Sequence, residues 1–252
     1  MIKDTLHKYY DEIANRYPDN EIVGIFLFGS QNYNLDTDYS DVDAIAIICP
    51  SWNNVIFAER PISTTIHLDD GDIKLMDIRH ALRDMAKPTI FSMEALYAKY
   101  EIINPKYFAL WNEIVKNREL IANSDIDNML NSILGMAHQV YKDFHKAYND
   151  GEMVGARKRA SRLVFINHFL SHYLKGDDVE DCYRCDDSTK QEYLYVKYDA
   201  VNELLPDAVA LLEEIESMAK TADKHEINPE ASEMLNNIRG KIVKLALTDN
   251  PL

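Results

Sequence analysis

The chain has 252 residues, of which 46% are hydrophobic, enough for a true core in one large domain or two small ones. Acidic residues outnumber basic ones 42 to 27, a formal net charge of −15. Polyanions are therefore repelled at long range, which excludes nonspecific duplex binding, and no apolar run is long enough for a membrane span.

The first segment, MIKDTLHKYYDEIANRY, reads as an amphipathic helix with Leu6, Tyr9, Tyr10, Ile13 and Tyr17 on one side. It lacks the uninterrupted apolar core of a signal peptide, so a cytoplasmic protein is expected. Pro18-Asp19-Asn20 turns the chain into a strand over about Ile22 to Phe28, which stops at Gly29-Ser30. A short helix is expected after Ser30. Ten residues on, Asp41-Val42-Asp43 leads into a second strand, about Val42 to Ile48. Residues two apart on a strand share a face, so Asp41 and Asp43 project side by side. Adjacent carboxylates repel unless a cation sits between them, and a hard divalent ion such as Mg²⁺ suits an all-oxygen site shared with substrate phosphates. Gly29 lets the backbone approach a phosphate, with N–H groups of the following helix start aimed at the anion.

Residues 50 to 63 read as a loop or short helix around Trp52 and Phe57. Thr64 to Leu68 is a β-branched strand, Asp69-Asp70-Gly71 a turn, and Asp72 to Asp77 the returning strand. This hairpin is expected to supply a third carboxylate. Alternation buries Ile73 and Leu75 and puts Asp72, Lys74 and Met76 on the other face. Asp77 precedes a helix pattern and reads as an N-cap, while Asp69 and Asp70 belong to the turn. Asp72 is therefore the expected third acid.

Gly29-Ser30 followed by Asp-x-Asp between apolar strands resembles the nucleotidyltransferase superfamily typified by DNA polymerase β. With Asn32-Tyr33-Asn34 and Ser40-Asp41-x-Asp43 included, the string is most similar to the RNA ligase-associated branch, assigned to RNA repair. The resemblance implies two Mg²⁺ (or Mn²⁺) ions held by Asp41, Asp43 and Asp72, a hydroxyl acceptor, an NTP substrate and pyrophosphate release. It implies that Gly29 and Ser30 cradle phosphates. Lys74, on the strand face of Asp72, either touches a phosphate or pairs with an Asp. KPTIFSMEALYAKYEIINPKYFALW is similar to the family's helix-Asn-Pro-helix region, with Glu94 where that region carries a Glu and Lys87-Pro88 in place of Gly-Asn-Pro. The resemblance covers residues 20 to 110 well and the remainder only vaguely.

From about Asn123 the period is helical. One helix follows Asp125-Ile126, a second runs about Gly155 to Lys175, and residues 176 to 188 form an acidic loop. Further helices cover about 189 to 221, broken or kinked at Pro206, and about 229 to 247, with Asn228 as N-cap and Pro229 in the first turn. Arg157, Lys158, Arg159 and Arg162 crowd one helix start, where like charges destabilise unless an anion is near. By the family's use of basic residues on its helical domain, Lys158 and Arg162 are expected to contact triphosphate or acceptor. His168 and His172, i, i+4, together with Cys182 and Cys185 have ligand spacings for Zn²⁺, against ordinary packing. Arg162-x5-His168 is similar to the signature of HEPN ribonucleases, but six residues is about 600° of helix, so the two side chains do not share a face.

The expected fold is α+β: a small mixed-sheet, polymerase β-like domain over residues 1–122, followed by an all-α helical bundle over 123–252. The expected activity is NMP transfer to a hydroxyl, with an RNA 3′ end as the acceptor that the resemblance favours. A small molecule, a protein hydroxyl, or a catalytically idle nucleotide-binding protein are the alternatives.

Overall fold

A computed structural model describes residues 2–200, 204–222 and 226–248. In chain order the first elements are α1 (Ile2–Arg16), β1 (Ile22–Phe28), a 3₁₀ turn (Gly29–Gln31), β2 (Asp43–Ile48), α2 (Trp52–Ile56), β3 (Ser63–Leu68), β4 (Gly71–Asp77) and α3 (Ile78–Met85). Then come α4 (Ile90–Met93), a second 3₁₀ turn (Glu94–Tyr97), β5 (Glu101–Ile103), α5 (Phe108–Lys116) and α6 (Arg118–Ala122). The helical remainder is α7 (Ile126–Asn149), α8 (Met153–Lys175), α9 (Val179–Tyr183), α10 (Asp187–Leu194), a π turn (Tyr195–Asp199), α11 (Leu204–Thr221) and α12 (Pro229–Thr248). The protein is thus α+β, a mixed sheet followed by a helical region, as its hydrophobic periods require.

Two compact units result. The first comprises residues 2–32, 37–125 and 227–248; the second comprises 33–36 and the described residues of 126–226. The expected boundary at 122/123 differs from this division by three residues, the break falling after Asp125, and in two further places. The terminal helix α12 packs on α3, α5 and α6 of the sheet unit, burying Ala231, Leu235, Ile238, Ile242 and Ala246 there. Asn228 N–H donates to Ser124 O at 2.8 Å, which fixes where α12 enters. In turn, Tyr33 belongs to the helical unit, where its ring stacks on Phe165 at 4.1 Å. Neither packing leaves a local trace in the sequence.

The sheet order is β3-β4-β2-β1-β5. β2 and β4 are parallel, and the other pairs are antiparallel. One face packs on α1: Leu6, Tyr9 and Ile13 meet Ile25, Ala44, Ala46, Ile48, Ile73 and Leu75 in a continuous core. Val42 and Ala44 pack against this core, which turns Asp43 to the opposite face. On that face the Phe26 ring lies 4.6 Å from Trp111 of α5.

Three local expectations change. The helix expected after Ser30 is a single 3₁₀ turn of three residues. The region read as helix-Asn-Pro-helix contains the short edge strand β5. The acidic loop at 176–188 contains α9, whose Val179, Cys182 and Tyr183 are buried. Pro206 falls in the first turn of α11, where a missing N–H is tolerated. Residues 201–203 of the helical run expected at 189 to 221 lie outside the described residues. Among the described residues no helix is long and apolar enough to cross a membrane.

In the second unit, α8 packs against α7, α9, α10 and α11. Its middle is buried nearly all round, from Leu163 to Ile166 and at His168, Phe169 and Leu170. Gly176 ends it in the left-handed conformation, φ +78°, the C-terminal stop that its glycine supplies.

Candidate functional site

The carboxylates meet through strand register. Parallel pairing of β2 with β4 sets Ala44 opposite Ile73, and so brings Asp43 beside Asp72 one step earlier. The contact is direct: Asp72 N–H donates to Asp43 Oδ1 at 3.0 Å. Gly29, at φ +79°, lies against the other oxygen of the same carboxylate. A Cβ there would stand 3.1 Å from Asp43 Oδ2, so the turn packs this closely only as glycine.

Asp41, two residues ahead of Asp43, is exposed. Its backbone is held from both sides of the turn. Gln31 Nε2 donates to Ser40 O and Asp41 O, each at 3.1 Å, and Gln31 O accepts from Lys99 Nζ at 2.8 Å. Between the two aspartates, Val42 N–H donates to Asp70 O and Val42 O accepts from the Tyr9 hydroxyl at 2.9 Å. Burial, and then the negative charges of Asp70, Asp43 and Asp41, push the Tyr9 phenol well above its usual range. It remains a donor to Val42 O at any ordinary pH.

The competing acids take other roles. Asp77 is buried and caps α3, accepting from Arg79 N–H at 2.7 Å and pairing with the Arg79 guanidinium. Asp70, in the hairpin turn, pairs with Lys8 at 2.7 Å, and that ammonium holds its carboxyl below the usual range. Asp72 turns its carboxylate to His67, its cross-strand partner on β3, with Nδ1 at 2.8 Å.

One expected contact differs. The Gly29 N–H, assigned to a phosphate, donates to Oε1 of the buried Glu94 at 2.8 Å. The anion position at that amide is thus filled by the protein's own carboxylate. Ser30 follows in the same 3₁₀ turn, half-buried. Lys74 Nζ lies 5.5 Å from the centroid of the Phe91 ring.

Lys158 and Arg162 stand on α8 of the helical unit, one turn apart and both exposed. Their neighbours are engaged within that unit: Arg157 donates to Tyr198 O at 3.1 Å, and Arg159 lies 3.9 Å from Glu152. His168 and His172 do stack, with ring centroids 4.3 Å apart. His172 pairs with Asp177, His168 contacts Thr189 Oγ1, and the Cys182 thiol points to Asp178 O at 3.5 Å. Burial and the neighbouring His172 lower the His168 pKa, keeping it neutral. These four side chains form no metal cluster.

The donor set of Asp41, Asp43 and Asp72 is all carboxylate oxygen, the chemistry a hard divalent cation takes. Among the described residues no three His, Cys, Asp or Glu side chains already stand as a ligating cluster, consistent with Asp72 being turned onto His67. Both partners of that pair are largely exposed, 78% for His67 and 50% for Asp72. Exposed pairs contribute about 0–1 kcal/mol, less than a divalent cation gains from a carboxylate pair, so the residues fit such an ion once Asp72 swings from His67.

Tyr9, Gln31 and Glu94 all hold this site; only Glu94 is marked in the sequence, by the resemblance, and its bond to the Gly29 amide is not. Tyr9 and Glu94 act across 33 and 65 residues, and the Gln31 contacts depend on a loop path that no periodicity encodes.

Comparison with protein-family models finds no match, and no curated protein matches the chain. Among solved structures, the chain aligns with a nucleotidyltransferase-like protein from Exiguobacterium sibiricum 255-15. The alignment covers 97% of this chain and 80% of that one, at 13% identity and a TM-score of 0.32. So loose a likeness adds nothing to the chemistry, which rests on this chain's own strands.

Proposed function

We propose that the protein is a divalent-metal-dependent nucleotidyltransferase that moves an NMP from an NTP to a hydroxyl acceptor. The carrying observation is the register that sets Asp72 beside Asp43 on parallel strands, with Gly29 packed against the Asp43 carboxylate and Asp41 two residues ahead of it. Asp41, Asp43 and Asp72 hold Mg²⁺ or Mn²⁺ in this reading; when bound, the metal neutralises phosphate charge and lowers the pKa of the attacking hydroxyl.

The chain's own part is positioning and charge placement. The acceptor oxygen bonds to the α-phosphorus as the bond to the bridging oxygen of the β-phosphate breaks, and pyrophosphate leaves. Asp72, half-exposed on β4, takes the hydroxyl proton. Ser30 and the 3₁₀ turn receive the β and γ phosphates, and Lys74 neutralises one of them. The acceptor is an RNA 3′ end, as the sequence resemblance implies. With a net charge of −15, such an end is held by local contacts and metal rather than by the long-range field.

A second reading, nucleotide binding without turnover, is favoured by one observation: Glu94 already occupies the Gly29 amide. One assay separates the two. The protein is incubated with each labelled NTP, Mg²⁺ or Mn²⁺, and pools of RNA, protein and metabolites. Labelled RNA is expected, and Asp43→Asn, which keeps an oxygen for the Asp72 amide, lowers the rate at least about a hundred-fold with unchanged melting. Labelled metabolite or protein would reassign the acceptor. Nucleotide binding with no labelled product in any pool would leave the second reading, and neither binding nor turnover would sink both.

A further inference from the structure

We infer that Phe91 is the nucleobase platform of this site, an inference that rests on the nucleotidyltransferase reading of its carboxylates. Phe91 is 46% exposed, while Ile90 and Met93 of the same helical turn are buried. The turn itself is fixed. Thr89 caps α4 through a reciprocal pair of bonds with Ser92, which sets the direction in which the Phe91 side chain leaves the backbone.

Two contacts place the ring beside the acids, one on β4 itself and one on β1, the neighbour of β2. Its centroid lies 6.4 Å from that of Phe28, and Phe28 is the register partner of Asp43 across β1 and β2. The Lys74 ammonium lies 5.5 Å from the ring centroid on another side, and Lys74 shares the β4 face of Asp72, two residues along. Single exposed aromatics on a surface need no explanation. This ring, however, lies against Phe28, the register neighbour of Asp43, and against Lys74 on the strand of Asp72, with nearly half its surface open.

Those groups match what a nucleoside triphosphate presents. The base offers a flat π-surface, the phosphates an array of anionic oxygens, and the two are a few ångströms apart in one molecule. With the base on Phe91, Lys74 exchanges a weak contact with the ring for a phosphate oxygen, which is the stronger partner for an ammonium. Stacking on a Phe ring reads no hydrogen-bond pattern, since every base has a π-face. The site is therefore expected to accept several NTPs and to prefer purines by their larger area.

The test is titration calorimetry in Mg²⁺ with three probes: α,β-methylene-ATP, α,β-methylene-CTP and inorganic tripolyphosphate. Phe91→Leu keeps the apolar contact with Phe28 and removes the π-face. It is expected to weaken the ATP analogue roughly 5- to 100-fold, the CTP analogue less, and tripolyphosphate not at all. Phe91→Trp is expected to restore or tighten nucleotide binding. If Phe91→Leu binds the ATP analogue as well as the parent does, or loses tripolyphosphate equally, the platform is overturned while the carboxylate site stands. If the parent protein binds none of the three, the platform and the reading it rests on fall together. Asp43→Asn reports the carboxylate site separately, because it is expected to weaken all three probes alike.

Discussion

Cys49 closes β2 with none of its surface exposed. Burial pushes its thiol up to about 12 from an ordinary value of 9.0. Beside it, Tyr107 is also raised, by burial and by its hydrogen bond to Glu21; Asp77 and Lys106 are the other charges that act on the thiol. The sign follows from which state holds the proton. Below about pH 9 the thiol is protonated in both states and its contribution is complete. Between about 9 and 12 the unfolded thiol ionises while the folded one does not, so stability falls as pH rises. Denaturant midpoints measured at pH 7.5 and 10.5 should show that loss, and Cys49→Ala should reduce the difference. An identical loss in Cys49→Ala would assign the alkaline sensitivity to Tyr107 and the other tyrosines alone. The core position of Cys49 is legible, since it directly follows the apolar run Ala44 to Ile48. Its coupling to Tyr107 and Glu21 is not, because those residues arrive from distant parts of the chain.

At the scale of elements, the β3–β4 turn sets the acidic segment. Gly71 has φ +148°, and a Cβ there would lie 2.2 Å from Val42 O and 2.9 Å from the Tyr9 hydroxyl. Both atoms belong to the hydrogen bond that holds the residue between Asp41 and Asp43. Gly71→Ala should therefore cost about 2–3 kcal/mol through overpacking and backbone strain, read as a lower urea midpoint at unchanged slope. Gly135→Ala is the opposite case. It sits within α7 with nothing within 4 Å of an added Cβ, and should stabilise by about 0.5–1 kcal/mol. A neutral Gly71→Ala would mean that the turn does not press on Val42. The hairpin itself was readable from Asp69-Asp70-Gly71 between two alternating runs, and so was the face on which Asp72 lies. β5 was not, because three residues between helical patterns carry no period. The same limit hid the 3₁₀ turn after Phe28, which Lys99 and Glu94 hold in addition to its own Gly29.

For the whole molecule, a change from alternating to helical period near Asn123 marks where the helices begin, but not which unit each one joins. α12 looks in sequence like the last helix of the bundle; its buried Leu235, Ile238 and Ile242 instead complete the sheet unit's core against α3 and α5. Burying three such side chains contributes roughly 5–9 kcal/mol, comparable to the roughly 5–15 kcal/mol that holds a typical domain together. A fragment ending at residue 122 should therefore fail to fold. A spliced chain that joins Asp125 to Ile227 through a few Gly and Ser residues should recover a cooperative melt. The short linker suffices because Ser124 O already accepts from Asn228 N–H. Residues 33–36 would lose their partners in the splice, since Tyr33 O accepts from Cys185 N–H and its ring rests on Phe165. Protease cleavage at that segment should rise in the spliced chain and nowhere else in the sheet. A fragment of 1–122 that melts cooperatively would show that α12 is dispensable to the sheet, and would restore the boundary that the hydrophobic period alone implies.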